Sequence, residues 1–219
     1  MTALPKILVI NPNSTEAVTR AVDEALSCYA GAAQINCVTL KEGPPGIELQ
    51  QHADSVIVPL GQMLKREEAN HDAFVLACYS DPGLHSLREQ TTKPVLGIGE
   101  CGLLTAMTLG HRVGVIAILR KSIPRHLRYI GAMGIGDRIA AELPLEIGVV
   151  GLSDADRTKQ RLEEVGKQLR DGHGADVVVL GCAGMASYRA GLQQALGVPV
   201  VDPTQAAVGM AIARVRLGW

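Results

Sequence analysis

Short apolar runs and amphipathic stretches alternate along the whole chain. The β-branched runs fall at 7–10, 35–40, 74–78, 95–98, 113–118, 177–180 and 198–201. They are continuous rather than alternating, which suits strands covered on both faces and so a parallel sheet. Between them lie segments with helical spacing, at 14–29, 51–70, 82–91, 101–110, 123–133, 154–171, 184–196 and 204–217. Asn13 with Glu16 three residues on has the form of a capping box opening the first helix, and Ser153 with Asp156 has the same form before the sixth. The pattern predicts a doubly wound α/β architecture.

An internal repeat adds more. Asp72-Ala-Phe-Val-Leu-Ala-Cys78 reads against Asp176-Val-Val-Val-Leu-Gly-Cys182, with the same Asp-to-Cys spacing in both. A helix-length segment follows each Cys, then Pro94-Val-Leu in one half and Pro199-Val-Val in the other, and then an apolar helix. Upstream, Lys6-Ile-Leu-Val-Ile10 matches Arg112-Val-Gly-Val-Ile116. Two similar lobes with parallel sheets, related by a pseudo-twofold, are therefore expected. Lobe 1 takes residues 1–98 plus the C-terminal helix at about 204–219, and lobe 2 takes 99–203. Ligands of open α/β sheets bind at the carboxyl ends of the strands. Cys78 and Cys182 would then face each other across the interlobe cleft.

Facing thiols are chemistry. A thiolate on one side of a flat carbon acid removes a proton, and a thiol opposite delivers one to the other face. That inverts a stereocentre next to a carbonyl by general acid–base catalysis, with no cofactor. Backbone N–H groups at each helix start are expected to lower the thiol pKa below the free value of about 8.5. The amides after each Cys are placed to hold an enolate oxygen. Asn11 and Asn13, at the mouth of the first strand, are the best polar anchors there. The remaining cysteines, Cys28, Cys37 and Cys101, read as structural.

Composition narrows the alternatives. The 219 residues carry 21 basic and 22 acidic side chains, a formal net charge of −1, so nothing favours nucleic acid or an anionic membrane. Aromatics at 3% exclude stacking platforms. No apolar run approaches the roughly 18 residues of a membrane span, and the start has no signal-like core, so a cytoplasmic protein is expected. Five cysteines, an odd number without CxxC spacing, read as free thiols. The six histidines form no HxxxH or HExxH, so no metal site is expected. Near-neutral charge and apolar helices lead us to expect a homo-oligomer.

Four stretches then carry a family resemblance: Asn11-Pro-Asn-Ser-Thr15, Gly43-Pro-Pro-Gly-Ile-Glu48, Ala77-Cys-Tyr-Ser-Asp-Pro-Gly-Leu84 and Gly181-Cys-Ala-Gly-Met185. Together, and in this order, they resemble the hydantoin/allantoin racemase branch of the aspartate/glutamate racemase superfamily. The resemblance implies two Rossmann-like lobes, cofactor-independent 1,1-proton transfer, and Cys78 and Cys182 as the two bases. By position it implies that Asn13, Ser14, Ser80, Asp81, Ala183 and Gly184 line the pocket. Racemases of free aspartate or glutamate carry Asn-Thr and Thr-His after the two cysteines. Tyr79-Ser80 and Ala183-Gly184 stand here instead, which fits a neutral cyclic ureide: a 5-substituted hydantoin first, allantoin second. Arg120 or Lys121, where a hydroxyl-rich stretch is expected, would instead reach an anionic substrate.

Other readings are weaker. Gly97-Ile-Gly-Glu-Cys-Gly102 matches G-x-G-x-x-G, yet nothing acidic lies between His111 and Gly136, where a dinucleotide fold needs it. A Cys–His hydrolase needs His85 on the cleft side of its helix. A cis–trans isomerase or decarboxylase of a small dicarboxylate, from the same superfamily, and a small-molecule sensor remain as rivals.

Overall fold

A computed structural model describes residues 3–219. The runs become two four-stranded parallel sheets. The first holds β1 (Lys6–Asn11), β2 (Gln34–Thr39), β3 (Ala73–Leu76) and β4 (Val95–Gly97), in the order β2-β1-β3-β4. The second holds β5 (Val113–Ala117), β6 (Ile139–Pro144), β7 (Val177–Leu180) and β8 (Val200–Val201), in the order β6-β5-β7-β8. The two orders are the same four-strand pattern used twice. Every residue of β3, β5 and β7 is buried, as a strand covered on both faces requires.

The repeated aspartates explain why the pattern recurs. Asp72 accepts the Lys6 amide at 2.8 Å, and Asp176 accepts the His111 and Arg112 amides at 3.0 and 2.8 Å. Each carboxylate pins the start of the first strand of its sheet to the strand that carries a cysteine. At the other end Ala77 donates its amide to Ile10 and Gly181 donates its amide to Ile116, both at 2.8 Å. A Cβ on Gly181 would stand 2.5 Å from the Ile116 carbonyl oxygen, so only glycine lets the chain pass there.

Two helices cross between the sheets. α5 (Ile98–Leu109) leaves β4 and lies against β7 and β8, whereas α9 (Pro203–Leu217) leaves β8 and lies against β3 and β4. They also pack on each other. One apolar core runs from Ile7 and Val75 of the first sheet through Ala207 and Cys101 to Ile116 and Leu180 of the second. Cys101 is fully enclosed there, and Cys28 is exposed. None of the helices among the described residues is long and apolar enough to cross a membrane.

Several expectations need correction. No strand was anticipated at 139–144. Ile139-Ala-Ala-Glu-Leu-Pro144 carries a Glu and ends on Pro because β6 is a half-buried edge strand, where a buried apolar run is not required. The first helix, α1 (Glu16–Ala25), is not opened by a capping box. Thr15 is the N-cap, and Asn13 Oδ1 accepts the Thr15 amide at 2.9 Å. In α7 (Ala155–Lys167) the cap is Asp154, which accepts the Arg157 amide, and not Ser153. The segment 51–70 is two helices, α2 (Gln50–Ser55) and α3 (Ile57–Glu67), broken at Val56.

Gly97-Ile-Gly-Glu-Cys-Gly102 proves to be a packing motif. A Cβ on Gly97 would strike the Asp81 carboxylate, one on Gly99 the Tyr79 carbonyl, and one on Gly102 would lie 2.8 Å from Pro203. Asp81 itself caps the N-terminus of α5, where a phosphate would sit in a dinucleotide fold. It accepts the Gly99 and Glu100 amides at 2.9 and 2.8 Å and the Tyr129 hydroxyl at 2.6 Å. Tyr129 lies on α6 (Ile123–Ala132), the helix between β5 and β6. Asp81→Ala strands three donors and is expected to cost about 3 kcal/mol, read as a lower urea midpoint with an unchanged slope. A change within a few tenths of a kcal/mol would mean that the clamp is not needed.

Candidate active site

β3 and β7 end at Leu76 and Leu180, two residues before Cys78 and Cys182, and each chain turns at its cysteine. Asp81 donates its amide to the Cys78 carbonyl at 2.9 Å, and Met185 does the same to Cys182 at 3.2 Å. Cys78 and Cys182 both face one narrow cleft between the sheets, of about 390 Å³ counting its open mouth. The two halves treat their sulfurs alike. The Ser80 amide donates toward Cys78, and the Gly184 amide toward Cys182.

Burial decides the titration of both. Loss of water pushes Cys78 up to about 11, with the Ser80 amide, the Arg125 charge and the Ser80 hydroxyl pulling back and Asp81 adding to the rise. Cys182 is pushed up to about 12, again by burial first, with only the Gly184 amide opposing and the charges of Cys78, Asp202 and Glu48 reinforcing. The expected depression is thus reversed. A backbone N–H supplies a fraction of a charge, whereas losing water removes the whole solvation of the thiolate. Fewer thiolates form at neutral pH, and each is a stronger base.

Of the residues singled out from the sequence, Asn13, Cys78, Ser80, Cys182 and Ala183 stand on the cleft wall. Four others stand off it. Asn11 is buried behind the loop, its amide shared among Asn13, the Thr15 carbonyl and Thr19. Ser14 donates its backbone amide to Pro44 in the loop. Asp81 is spent on α5 and Tyr129. Gly184 borders a neighbouring apolar groove, and a Cβ there would lie 3.7 Å from the Cys182 sulfur. Arg120 and Lys121 turn away from the cleft to pair with Glu146 and Glu48, and His85 is exposed.

Among the wall residues that the sequence reading does not single out are Arg125 and His126. α6 turns Arg125 and His126 into the cleft. Arg125 donates through Nε to Ser80 Oγ at 3.1 Å and through a terminal nitrogen to the Glu48 carbonyl at 3.4 Å. His126 Nε2 lies 3.5 Å from Ser80 Oγ, and its Nδ1 lies 2.5 Å from Glu142 Oε1, a carboxylate with 1% of its side chain exposed. The amphipathic spacing of 123–133 had marked a helix. Its position after β5, at the cleft end of the second sheet, was the available signal for which face mattered. Two residues of the wall, Tyr79 and Ser122, carry buried hydroxyls with no protein partner. Orphaned donors on a cleft wall point to a polar ligand. Val18, Ile47, Ile118 and Val149 complete the wall with apolar surface.

Among the described residues, no group of three or more His, Cys, Asp or Glu is placed to hold a metal. The chemistry the wall offers is proton transfer: two thiols on opposite strands, with amides, hydroxyls and one guanidinium around them.

A family model described as Asp/Glu/Hydantoin racemase matches residues 7–211. A hydantoin racemase of Pseudomonas sp. (strain NS671) is 36% identical over 97% of this chain and 87% of its own length. One from Paenarthrobacter aurescens is 33% identical over 98% and 92%. The structure of an allantoin racemase from Klebsiella pneumoniae superposes with a TM-score of 0.94 at 28% identity, covering 98% of this chain and 89% of that one.

With both thiols titrating near 11 and 12, alkylation of Cys78 and Cys182 in the free protein is expected to speed up about tenfold per unit between pH 7 and pH 10. Peptide mapping after iodoacetamide pulses measures it. A rate independent of pH over that range would mean a preformed thiolate.

Proposed function

The chain belongs to the Asp/Glu/hydantoin racemase family and is an isomerase, and from that premise we propose that it inverts the stereocentre α to a carbonyl in a small cyclic ureide. A 5-substituted hydantoin is the first candidate and allantoin the second. The observation that carries the proposal is the pair of cysteines from equivalent strand ends lining one cleft. The hydantoin racemases at 33% and 36% identity support the first candidate, and the allantoin racemase structure at 28% supports the second.

In the proposed reaction the ring lies between the sulfurs. One thiolate takes the proton from C5, and the C–H electron pair moves into the adjacent carbonyl to give an enolate. The opposite thiol gives its proton to the other face of C5, and the carbonyl re-forms. Charge has then moved from one sulfur to the other, and exchange with solvent restores the starting state. The amides of the turns after the two cysteines are placed to hold the enolate oxygen. Tyr79, Ser122 and the Asn13 amide offer partners for ring N–H and carbonyl groups. The ring is neutral, so it needs no ammonium or carboxylate subsite. Proton removal from a weak carbon acid also favours the strong bases that burial creates.

Polarimetry on a panel of 5-substituted hydantoins and allantoin, repeated in heavy water with NMR detection at the stereocentre, tests the reading. Racemisation is expected, with solvent deuterium in the inverted product. Cys78→Ser and Cys182→Ser are each expected to lower kcat at least about a hundredfold, the usual contribution of a positioned acid or base. A fully active Cys182→Ser would indicate a one-thiol reaction such as decarboxylation. Tight binding without any exchange would indicate a sensor.

A further inference from the structure

The cleft is symmetric in its backbone and asymmetric in its charge. Arg125 is 9% exposed and lines the cleft beside Cys78. None of the carboxylates among the described residues lies within 4.0 Å of its guanidinium, and its two hydrogen-bond partners are a hydroxyl and a carbonyl, both neutral. A buried cation held only by neutral groups lacks its counter-charge. The nearby carboxylates are committed elsewhere: Glu48 to Lys121 and the Val149 amide, Glu142 to His126, and Asp54 to Gln50. Of the charges that act on Arg125, that of the Cys78 sulfur is the largest, ahead of Glu142 and Asp54. Among the described residues, the groups that act on Cys182 are the Gly184 amide and the charges of Cys78, Asp202 and Glu48, none of them a cation.

We propose that Arg125 is a positioning residue that makes Cys78, and not Cys182, the sulfur that ionises first, so that turnover from the free enzyme starts with Cys78 as base and Cys182 as acid. This rests on the racemase reading above and goes beyond it by giving the two sulfurs different resting roles. Ser80 is the intermediary. Arg125 donates into its oxygen, and its hydroxyl donates to Cys78. The groups acting on the Cys78 charge are therefore Arg125, Ser80 and the opposing carboxylate of Asp81. On the other wall, α1 contributes Val18, with no charge.

Alkylation without substrate, mapped residue by residue across pH, tests this independently of activity. In the unaltered protein Cys78 is expected to reach its half-maximal rate at a lower pH than Cys182. Arg125→Met is expected to move the Cys78 midpoint upward, slowing its alkylation about tenfold at fixed pH, and to leave the Cys182 profile in place. Arg125→Lys, which keeps the charge, is expected to restore most of the difference. In kinetics the Met variant should lose kcat more than it raises KM, with its pH profile displaced to higher pH. Should Arg125→Met fail to fold, the order of the two midpoints in the unaltered protein still decides: equal midpoints, or Cys182 first, overturn the proposal. An unchanged Cys78 midpoint in a folded Met variant also overturns it, leaving Arg125 a structural clamp or a ligand for an anionic substrate. If no ureide is racemised while the midpoints behave as expected, the substrate reading falls and the charge assignment stands.

Discussion

Asp81 holds together the parts from which the cleft is made. Its carboxylate binds the Gly99 and Glu100 amides in the first turn of α5 and the hydroxyl of Tyr129 on α6, while its own backbone closes the turn after Cys78. One buried group thus connects the cysteine loop of the first sheet, the helix that crosses to the second sheet, and the helix that carries Arg125 and His126. A hydrophobic contact is non-directional and would not hold these three at one angle. Three hydrogen bonds to one carboxyl group do. The residue accepts a left-handed backbone, φ 44°, to make the connection, a conformation that Asp tolerates better than most side chains.

Around that clamp the fold repeats itself in backbone and departs from itself in side chains. Both halves run a strand to a pinned start, release it at a cysteine, and aim the amide two residues on at the sulfur. The topologically matching helices then differ: α1 offers Val18 to the cleft, and α6 offers Arg125 and His126. The proposed proton transfer between two faces needs an acid–base group on each side, and the repeat places a thiol on both. The unrepeated helices give the two sulfurs different charged surroundings, with Arg125 acting on Cys78 and uncharged Val18 on the other wall. The exchange of α5 and α9 between the sheets keeps the halves in register, because each crossing helix is anchored by the core of the other half.

The legible parts of the molecule share a cause. Central parallel strands are buried on both faces, so their apolar runs announce them, and the Asp-to-Cys repeat places both sulfurs at equivalent strand ends. β6 was illegible because an edge strand has one side to water and tolerates the Glu and Pro of 139–144. Arg125 and His126 were illegible because a polar residue on an amphipathic helix reads as solvent-facing unless the helix is known to border a cleft. The G-x-G-x-x-G stretch shows the converse. Its glycines are required, yet by the closeness of Asp81, Tyr79 and Pro203 and not by a nucleotide.

The sequence alone marked two cysteines at repeated strand ends, the duplicated α/β frame, and the family to which the chain is similar, because buried periodicity and repeated motifs are local properties of the chain. Tertiary structure decided the rest. It turned Asn11, Ser14 and Asp81 into scaffolding, brought a guanidinium from the second half to a sulfur of the first, and reversed the direction in which both thiols titrate. Each of those outcomes depends on how much water is removed and which distant groups remain nearby, and both quantities come into existence only when the two sheets close on each other.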